Sequence, residues 1–197
     1  MYKTFRKIFV KINDFVGRNT GIKIKKETYA RPSTIKAMEI FGSKPIRVVE
    51  IGCAAGNNTL NVLKKLNVSE YIIIDPYDKY EDDYNDYDRK RLTSMRIEAK
   101  NKLSAYSDKL TWIYDYSDNA VNKIKGKIDF IYIDGNHSYE YVLSDMENYS
   151  KLLTSKYVFG GHDIDQPGVS KAFIEFIGKN KYNFYQIKDP DWLIYES

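Results

Sequence analysis

Seven short apolar segments run along the chain, separated by longer stretches of mixed polarity. Four of them are nearly continuous apolar runs, as is typical of strands that are buried on both faces of a parallel sheet. The pattern therefore predicts seven β-strands, at IRVVEI (46–51), YIII (71–74), LTWIY (110–114), IDFIYI (128–133), KYVF (156–159), NFYQI (183–187) and WLIY (192–195).

Apolar residues recur at helical spacing between several of these segments, with the clearest stripe in residues 169–177 after Pro167 and Gly168. Strands that alternate with helices predict an α/β fold with a doubly wound, mostly parallel sheet. Only KDPD separates the last two predicted strands, which is too short for a crossover helix. We therefore expect these two strands to form an antiparallel C-terminal hairpin.

Residues 1–31 differ from the rest and are predicted to form an amphipathic helical extension. One helical face of this segment carries Phe5, Ile8, Phe9, Ile12, Phe15 and Val16, and its basic residues lie elsewhere. We favour packing of this helix on the domain or on a second subunit, as in a homo-oligomer. A substrate lid and weak contact with a membrane surface are the alternatives.

Composition narrows the class of protein. A chain of 197 residues with 43% hydrophobic residues fits one globular domain. The net charge of +4 does not by itself indicate a nucleic-acid partner. Cys53 is the single cysteine, which excludes a disulfide framework and a cysteine-based zinc site and favours a cytoplasmic setting. No apolar stretch is long enough to span a membrane.

The turn after the first predicted strand, VVEIGCAAGNNTL (48–60), is typical of a ligand site. A nucleotide phosphate would need a GxxxxGK[ST] loop, and a dinucleotide would need GxGxxG, but Asn57 stands at the third glycine. S-adenosylmethionine carries no phosphate and remains the candidate. Gly52 and Gly56 allow its close approach, and Glu50 can bind its ammonium group directly or through water. Asp75, which ends the second strand, can accept from its ribose hydroxyls.

Residues Glu50–Gly56 resemble the E-x-G-x-G-x-G turn of class I S-adenosylmethionine-dependent methyltransferases, with Ala54 in place of the middle glycine. The resemblance covers residues 32–197 and implies a Rossmann-like methyltransferase domain there. It also implies further donor-binding residues beyond Glu50, Gly52, Ala54, Gly56 and Asp75. Those residues are Pro76 and Tyr77 near the adenine, Ser117 at the adenine edge, and Asp115 as a neighbour.

Two predicted strand ends, IDFIYIDGNHSYE and KYVFGGHDID, hold both histidines of the chain and several acids. Carboxylates on adjacent loops repel each other unless a cation or a proton lies between them. Oxygen ligands suit Mg²⁺ or Mn²⁺, and a divalent ion would assist deprotonation of a bound hydroxyl. Because an unperturbed histidine titrates near pH 6.5, we expect His137 to act as the catalytic base, with Asp134 as the second catalytic residue and His162 as the alternative base.

The wider stretch through PGVSKAFIEF resembles the metal-dependent branch of small-molecule and sugar O-methyltransferases. That resemblance implies Asp134 and Asp163 as metal ligands. His162 stands where the branch often has an acid, so His162, Asn136 and Asp165 are the candidates for the third ligand.

The expected function is therefore S-adenosylmethionine-dependent methylation of a hydroxyl on a small molecule or glycan, assisted by a divalent metal. Two alternatives stay open: a metal-independent methyltransferase that acts on nitrogen, and a non-catalytic S-adenosylmethionine-binding module. The acidic, tyrosine-rich run at residues 75–91 would repel polyanions, so no nucleic-acid partner is expected.

Overall fold

The structure is a computed structural model that describes residues 30–78, 88–180, 182, 184–188 and 190–197. The amphipathic extension predicted for residues 1–31 lies almost wholly outside the described residues, as does most of the acidic run. None of the described helices is long and apolar enough to cross a membrane.

Helices and strands alternate along the described chain. The helices are α1 (Pro32–Phe41), α2 (Asn57–Lys65), α3 (Arg89–Lys102), α4 (Ser117–Ala120), α5 (Tyr139–Tyr149) and α6 (Pro167–Lys179), with 3₁₀ turns at Ser104–Lys109, Val121–Lys123 and Ser150–Leu152. The strands are β1 (Ile46–Ile51), β2 (Val68–Ile74), β3 (Leu110–Ile113), β4 (Ile128–Ile133), β5 (Leu153–Gly161), β6 (Phe184–Lys188) and β7 (Asp191–Glu196).

The seven strands form one sheet in the order β3-β2-β1-β4-β5-β7-β6. Strands β1 to β5 pair in parallel, and β7 runs antiparallel to both β5 and β6. The predicted α/β fold with a mostly parallel sheet and an antiparallel C-terminal hairpin is confirmed. The order reverses between β1 and β4, and ligands bind at such a reversal in doubly wound sheets.

Two apolar layers cover the two faces of the sheet. Val49 and Ile51 of β1 pack in the layer formed with α5 and α6, whereas Ile46 and Val48 pack with α1 and α2. This alternation follows from the two-residue repeat of a strand. The same repeat places Glu50 on the face that α2 covers.

Strand β2 begins at Val68, three residues before the apolar run that predicted it. Ser69 and Glu70 are polar, but the backbone there still pairs with β1, and a salt bridge of 2.7 Å joins Glu70 to Arg47. Backbone pairing thus extends the strand beyond the apolar segment.

Candidate active site

A cleft opens at the carboxyl ends of β1, β2 and β4, where the strand order reverses. It encloses about 580 Å³, open solvent included, which is within the usual size of a small-molecule site. Its walls come from the segments that follow four strands and from helix α5: Gly52 after β1, Asp75 and Pro76 after β2, Tyr116 and the start of α4 (Ser117 and Asp118) after β3, Gly135 and Asn136 after β4, and Tyr141 and Asp145 of α5.

Gly52 occupies the point where the ends of β1, β2 and β4 meet. Its φ is +84°, and a Cβ atom there would lie 1.9 Å from the backbone oxygen of Asp134. Its amide donates to the Ile74 carbonyl at 2.9 Å. Gly52 is thus required by the approach of the protein's own backbone, in addition to lining the cleft.

Asp75 holds the turn that follows β1. Its Oδ2 accepts from the amides of Cys53 and Ala54 at 3.0 and 2.9 Å, and its Oδ1 accepts from the amide of Tyr77 at 2.8 Å. Burial raises the pKa of Asp75, and these backbone hydrogen bonds oppose that rise. Since a carboxylate has about four acceptor positions, one remains for a ligand hydroxyl.

Ala54 has a φ of +47°, a conformation that favours glycine and costs an alanine about 1 kcal/mol. Its amide bonds to Asp75, and its carbonyl accepts from the Tyr77 hydroxyl at 2.8 Å. These two bonds stabilise the conformation that the family turn reaches with glycine. Tyr77 is buried and is not among the residues that line the cleft, and its predicted position near the adenine stays a prediction.

Glu50 lies beneath the turn and not on the cleft wall. Its carboxylate accepts from the Asn58 side chain at 2.8 Å, from the Tyr71 hydroxyl at 2.9 Å and from the Thr59 hydroxyl. Burial raises the pKa of Glu50 to about 7, although these three bonds oppose the rise. Because Glu50 does not line the cleft, its predicted binding of the ligand ammonium, directly or through water, stays a prediction.

Two more predicted donor residues support the cleft from outside. Gly56 has a φ of +73° and packs on α3, where a Cβ would meet Ala99 and Leu103 at 3.2–3.3 Å. The Asp115 carboxylate accepts from Lys123 and from the Asn119 side chain, and Asp115 is not among the residues that line the cleft. Among the predicted donor residues, those that line the cleft are Gly52, Asp75, Pro76 and Ser117.

The two histidines and two acids meet beside this cleft. Asp163 Oδ2 lies 2.9 Å from His137 Nε2 and 2.9 Å from His162 Nδ1. His162 Nδ1 lies 3.7 Å from Asp134 Oδ1. The four residues come from the ends of β4 and β5, which are paired neighbours in the sheet. We call these residues, Asp134, His137, His162 and Asp163, the His–Asp cluster.

The two acids of the cluster titrate differently. Burial raises the pKa of Asp134 to about 6, although His162 and Arg31 oppose the rise. Burial would also raise the pKa of Asp163, but hydrogen bonds from His137 and His162 outweigh it and hold that pKa well below its usual range. Asp163 is therefore an anion that two imidazoles share.

A family model described as a methyltransferase domain matches residues 49–164, more than half of the chain. The match runs from the glycine turn to the end of the His–Asp cluster. The chain belongs to this methyltransferase family. It is therefore an S-adenosylmethionine-dependent methyltransferase with the class I fold, as the resemblance implied. No curated protein sequence matches the chain.

Solved structures share the fold of this methyltransferase. An rRNA methylase from Streptococcus thermophilus is 15% identical with a TM-score of 0.56, and the match covers 83% of this chain and 92% of that one. The methyltransferase PaMTH1 from Podospora anserina, bound to S-adenosylhomocysteine, is 13% identical with a TM-score of 0.59, covering 84% and 76%. Precorrin-6y C5,15-methyltransferase from Geobacter metallireducens is 11% identical with a TM-score of 0.58, covering 84% and 77%. At these identities the likeness concerns the fold alone.

The methyltransferase has a group of side chains that fits a divalent ion. Ligand atoms of Asp134, His162 and Asp163 lie within 4.8 Å of one another, and two carboxylates with one imidazole suit ions such as Mn²⁺. The side-chain oxygen of Asn136, another predicted candidate, accepts from the Ser138 amide at 2.8 Å, and its role as a ligand stays a prediction. Asp165 is exposed and lies outside the group.

Residues of α5 line the methyltransferase cleft although sequence reasoning assigned them no role. Tyr141 and Asp145 are four positions apart and therefore share one helical face. Tyr116 and Asp118, which follow β3, also line the cleft without a predicted role. The helical spacing of Tyr141 and Asp145 was visible in the sequence, but which face of α5 meets the cleft was not.

Proposed function

We propose that this methyltransferase transfers the methyl group of S-adenosylmethionine to a hydroxyl of a small molecule or a sugar. The observation that carries the proposal is the position of the His–Asp cluster beside the turn between β1 and α2, which we call the donor turn. A Cβ on Gly52 would overlap the Asp134 backbone, so the donor turn and the cluster adjoin directly. A hydroxyl acceptor needs a group that takes its proton, and the cluster supplies imidazoles and carboxylates at that position.

The residues of the cluster would have separate roles in metal binding and in proton transfer. Bound S-adenosylmethionine supplies a methyl group that leaves its sulfur as the acceptor oxygen attacks. Asp163 orients His137 through the 2.9 Å contact with Nε2, as an acid orients the base in a His–Asp pair. His137 takes the hydroxyl proton, and alignment of the oxygen with the methyl carbon supplies much of the rate.

A divalent ion would be held by Asp134, Asp163 and His162, the group that the fold brings together. Bound there, the ion would lower the pKa of an acceptor hydroxyl and stabilise its alkoxide. The oxygen-rich set favours Mg²⁺ or Mn²⁺, and the imidazole makes Mn²⁺ the better fit.

The test is production of S-adenosylhomocysteine by the full chain from S-adenosylmethionine and three acceptor sets: sugars and other polyhydroxyl compounds, their amine analogues, and rRNA. We expect turnover with hydroxyl acceptors, supported by Mn²⁺ or Mg²⁺ and lowered by EDTA. Asp134→Asn should lower turnover, whereas Asp165→Asn, which alters an exposed acid outside the metal group, should retain it.

Each other result points to a different function. Turnover with amines alone and without metal would favour the nitrogen methyltransferase. Turnover with rRNA alone would replace the small-molecule acceptor with a nucleic acid. Donor binding without turnover on any acceptor would favour the non-catalytic module.

A further inference from the structure

Arg31, which directly precedes α1, is held over the sheet by the packing of that helix. The first turn of α1 lies close to β5, because a Cβ at Gly160 would be 2.7 Å from the Cβ of Ser33. Gly160 pairs in register with Tyr132 of β4. The Arg31 guanidinium lies over the Tyr132 ring, with its Cζ atom 6.0 Å from the ring centroid.

This position brings Arg31 to the His–Asp cluster. Asp134 follows Tyr132 by two residues, and its amide continues the pairing with β1 at 2.7 Å. Alternate residues of a strand share one face, so Asp134 lies one strand repeat beyond the ring that Arg31 covers. Burial raises the pKa of Asp134, and the positive charge of Arg31 is close enough to oppose that rise. Arg31 is also within electrostatic reach of Asp163.

Most N–H donors of the Arg31 guanidinium are unused within the described chain. Its one hydrogen bond there runs from Nη1 to Asp191 Oδ1 and is long, at 3.3 Å. The same oxygen accepts from the Tyr132 hydroxyl at 2.7 Å, so Asp191 has a shorter bond of its own. A guanidinium has five donors, and the Arg31 side chain is 28% exposed. Arg31 can therefore bind a further acceptor group.

Arg47 shows what an arginine with a purely structural role looks like in this fold. Its side chain is 29% exposed, as exposed as that of Arg31. It donates to Glu70 from Nε at 2.8 Å and from Nη2 at 2.7 Å, and to the Lys127 carbonyl from Nη1 at 2.7 Å. Equal exposure thus leaves Arg47 fully engaged with the protein and Arg31 with donors to spare.

The fork of a guanidinium matches the two oxygens of a carboxylate, which it binds through two parallel hydrogen bonds. The reacting hydroxyl would lie at the His–Asp cluster, so a carboxylate on the same acceptor could reach Arg31. A divalent ion held by Asp134 and Asp163 would offset their charge, and an anionic acceptor would then not be repelled.

We propose that Arg31 binds a carboxylate of the methyl acceptor, so that the enzyme methylates hydroxy acids such as uronic acids in preference to neutral polyhydroxyl compounds. This proposal rests on the proposed function, because it takes a hydroxyl as the group that is methylated. Arg31 is a specificity-determining residue in this role, and His137 and the proposed metal ligands keep theirs.

The test measures kcat/KM for S-adenosylhomocysteine formation by the full chain with Mn²⁺ and matched acceptors: glucuronate against glucose, and galacturonate against galactose. The wild type should prefer the acidic member of a pair by about 10- to 100-fold, the range of a charge-assisted hydrogen bond. Arg31→Gln should bring this ratio close to one. Arg31→Lys keeps the charge beside Asp191 but loses the fork, so it should retain only part of the preference.

Calorimetric binding of glucuronate and glucose to the chain loaded with S-adenosylhomocysteine gives the same comparison without turnover. Arg47→Gln is the matched control, since Arg47 has the same exposure but lies at the start of β1, the end opposite the cleft. It should keep the wild-type ratio in both measurements.

Equal kcat/KM for the acidic and neutral members, or an unchanged ratio in Arg31→Gln, would overturn the proposal while turnover itself upholds the proposed function. A merely structural role of Arg31 would lower turnover of both members alike and leave their ratio unchanged. Glucose 6-phosphate is the third arm, and a preference for it over glucuronate would overturn the carboxylate in favour of a phosphate. If no hydroxyl acceptor is methylated, the proposed function fails, and this proposal fails with it.

Discussion

Replacing Gly52 with alanine tests how closely the cleft at the ends of β1, β2 and β4 and the His–Asp cluster are joined through the backbone. The added Cβ would lie 1.9 Å from the Asp134 oxygen, 2.5 Å from its carbonyl carbon and 2.9 Å from the Gly135 Cα, all of them backbone atoms. No side-chain rotation can relieve such an overlap. The ends of β1 and β4 would have to separate, which would stretch the 2.7 Å hydrogen bond from the Asp134 amide to the Ile51 carbonyl.

The expected cost has two parts. An alanine at a φ of +84° loses about 1–2 kcal/mol, and overpacking against a rigid backbone adds about 1–3 kcal/mol. Together they lower the free energy of unfolding by about 2–5 kcal/mol, a large fraction of the roughly 5–15 kcal/mol of an ordinary domain. Binding of S-adenosylhomocysteine should weaken by more than about tenfold, since Gly52 lines the cleft.

Gly42→Ala is the matched control. Gly42 also has a positive φ, +53°, but no atom of the described residues, its chain neighbours aside, lies within 4 Å of its added Cβ. This variant should show the backbone cost alone, about 1–3 kcal/mol for a sparsely populated conformation, with unchanged donor affinity. Urea denaturation and calorimetric titration of both variants give the comparison. If Gly52→Ala loses no more stability than Gly42→Ala and binds the donor normally, the strand ends are not in the contact that we describe.

Three further predictions concern the acids and His137. Burial raises the pKa of Asp145 to about 7, against about 3.9 in an unfolded chain, so the wild type should lose stability as the pH rises from about 4 to 7. Asp145→Asn carries no such proton, so its free energy of unfolding relative to that of the wild type should grow by up to about 4 kcal/mol over that window. Urea denaturation at several pH values measures this difference, and a difference that stays constant with pH would contradict the prediction. Asp163→Asn should abolish Mn²⁺ binding in equilibrium dialysis while donor affinity stays the same, and retained Mn²⁺ binding would remove Asp163 from the ligand set. His137→Ala should lower the single-turnover rate by about 10²–10⁴ without a change in donor affinity, and a loss of only a few-fold would assign the proton to another group.

The positions of the strands followed from the sequence because strands packed in a sheet form short apolar runs, which are continuous where both faces are buried. Each of the seven apolar segments became a strand, and the short KDPD link allowed only an antiparallel return of the last one. The meeting of the two histidines with Asp134 and Asp163 was likewise foreseeable. Residues that end neighbouring parallel strands lie at one edge of the sheet, whatever their separation along the chain.

The roles of single residues around the turn depended on contacts that no local pattern records. Asp75 was expected to bind a ribose, yet most of its acceptor positions hold the turn itself, and Tyr77 packs behind Ala54. Gly52 was expected to admit a ligand, but its first constraint is the Asp134 backbone, which lies 82 residues further along the chain.

The sequence alone determined the order of the elements and the strand ends at which the candidate site residues lie, because both depend on short-range patterns of burial. The tertiary structure decided which side chains line the cleft. The packing of α5 on the sheet places Asp145 on the cleft wall, and residues of α2 enclose Glu50 beneath the turn. Both outcomes arise from the packing of whole helices on the sheet, which the side chains of many distant residues set together.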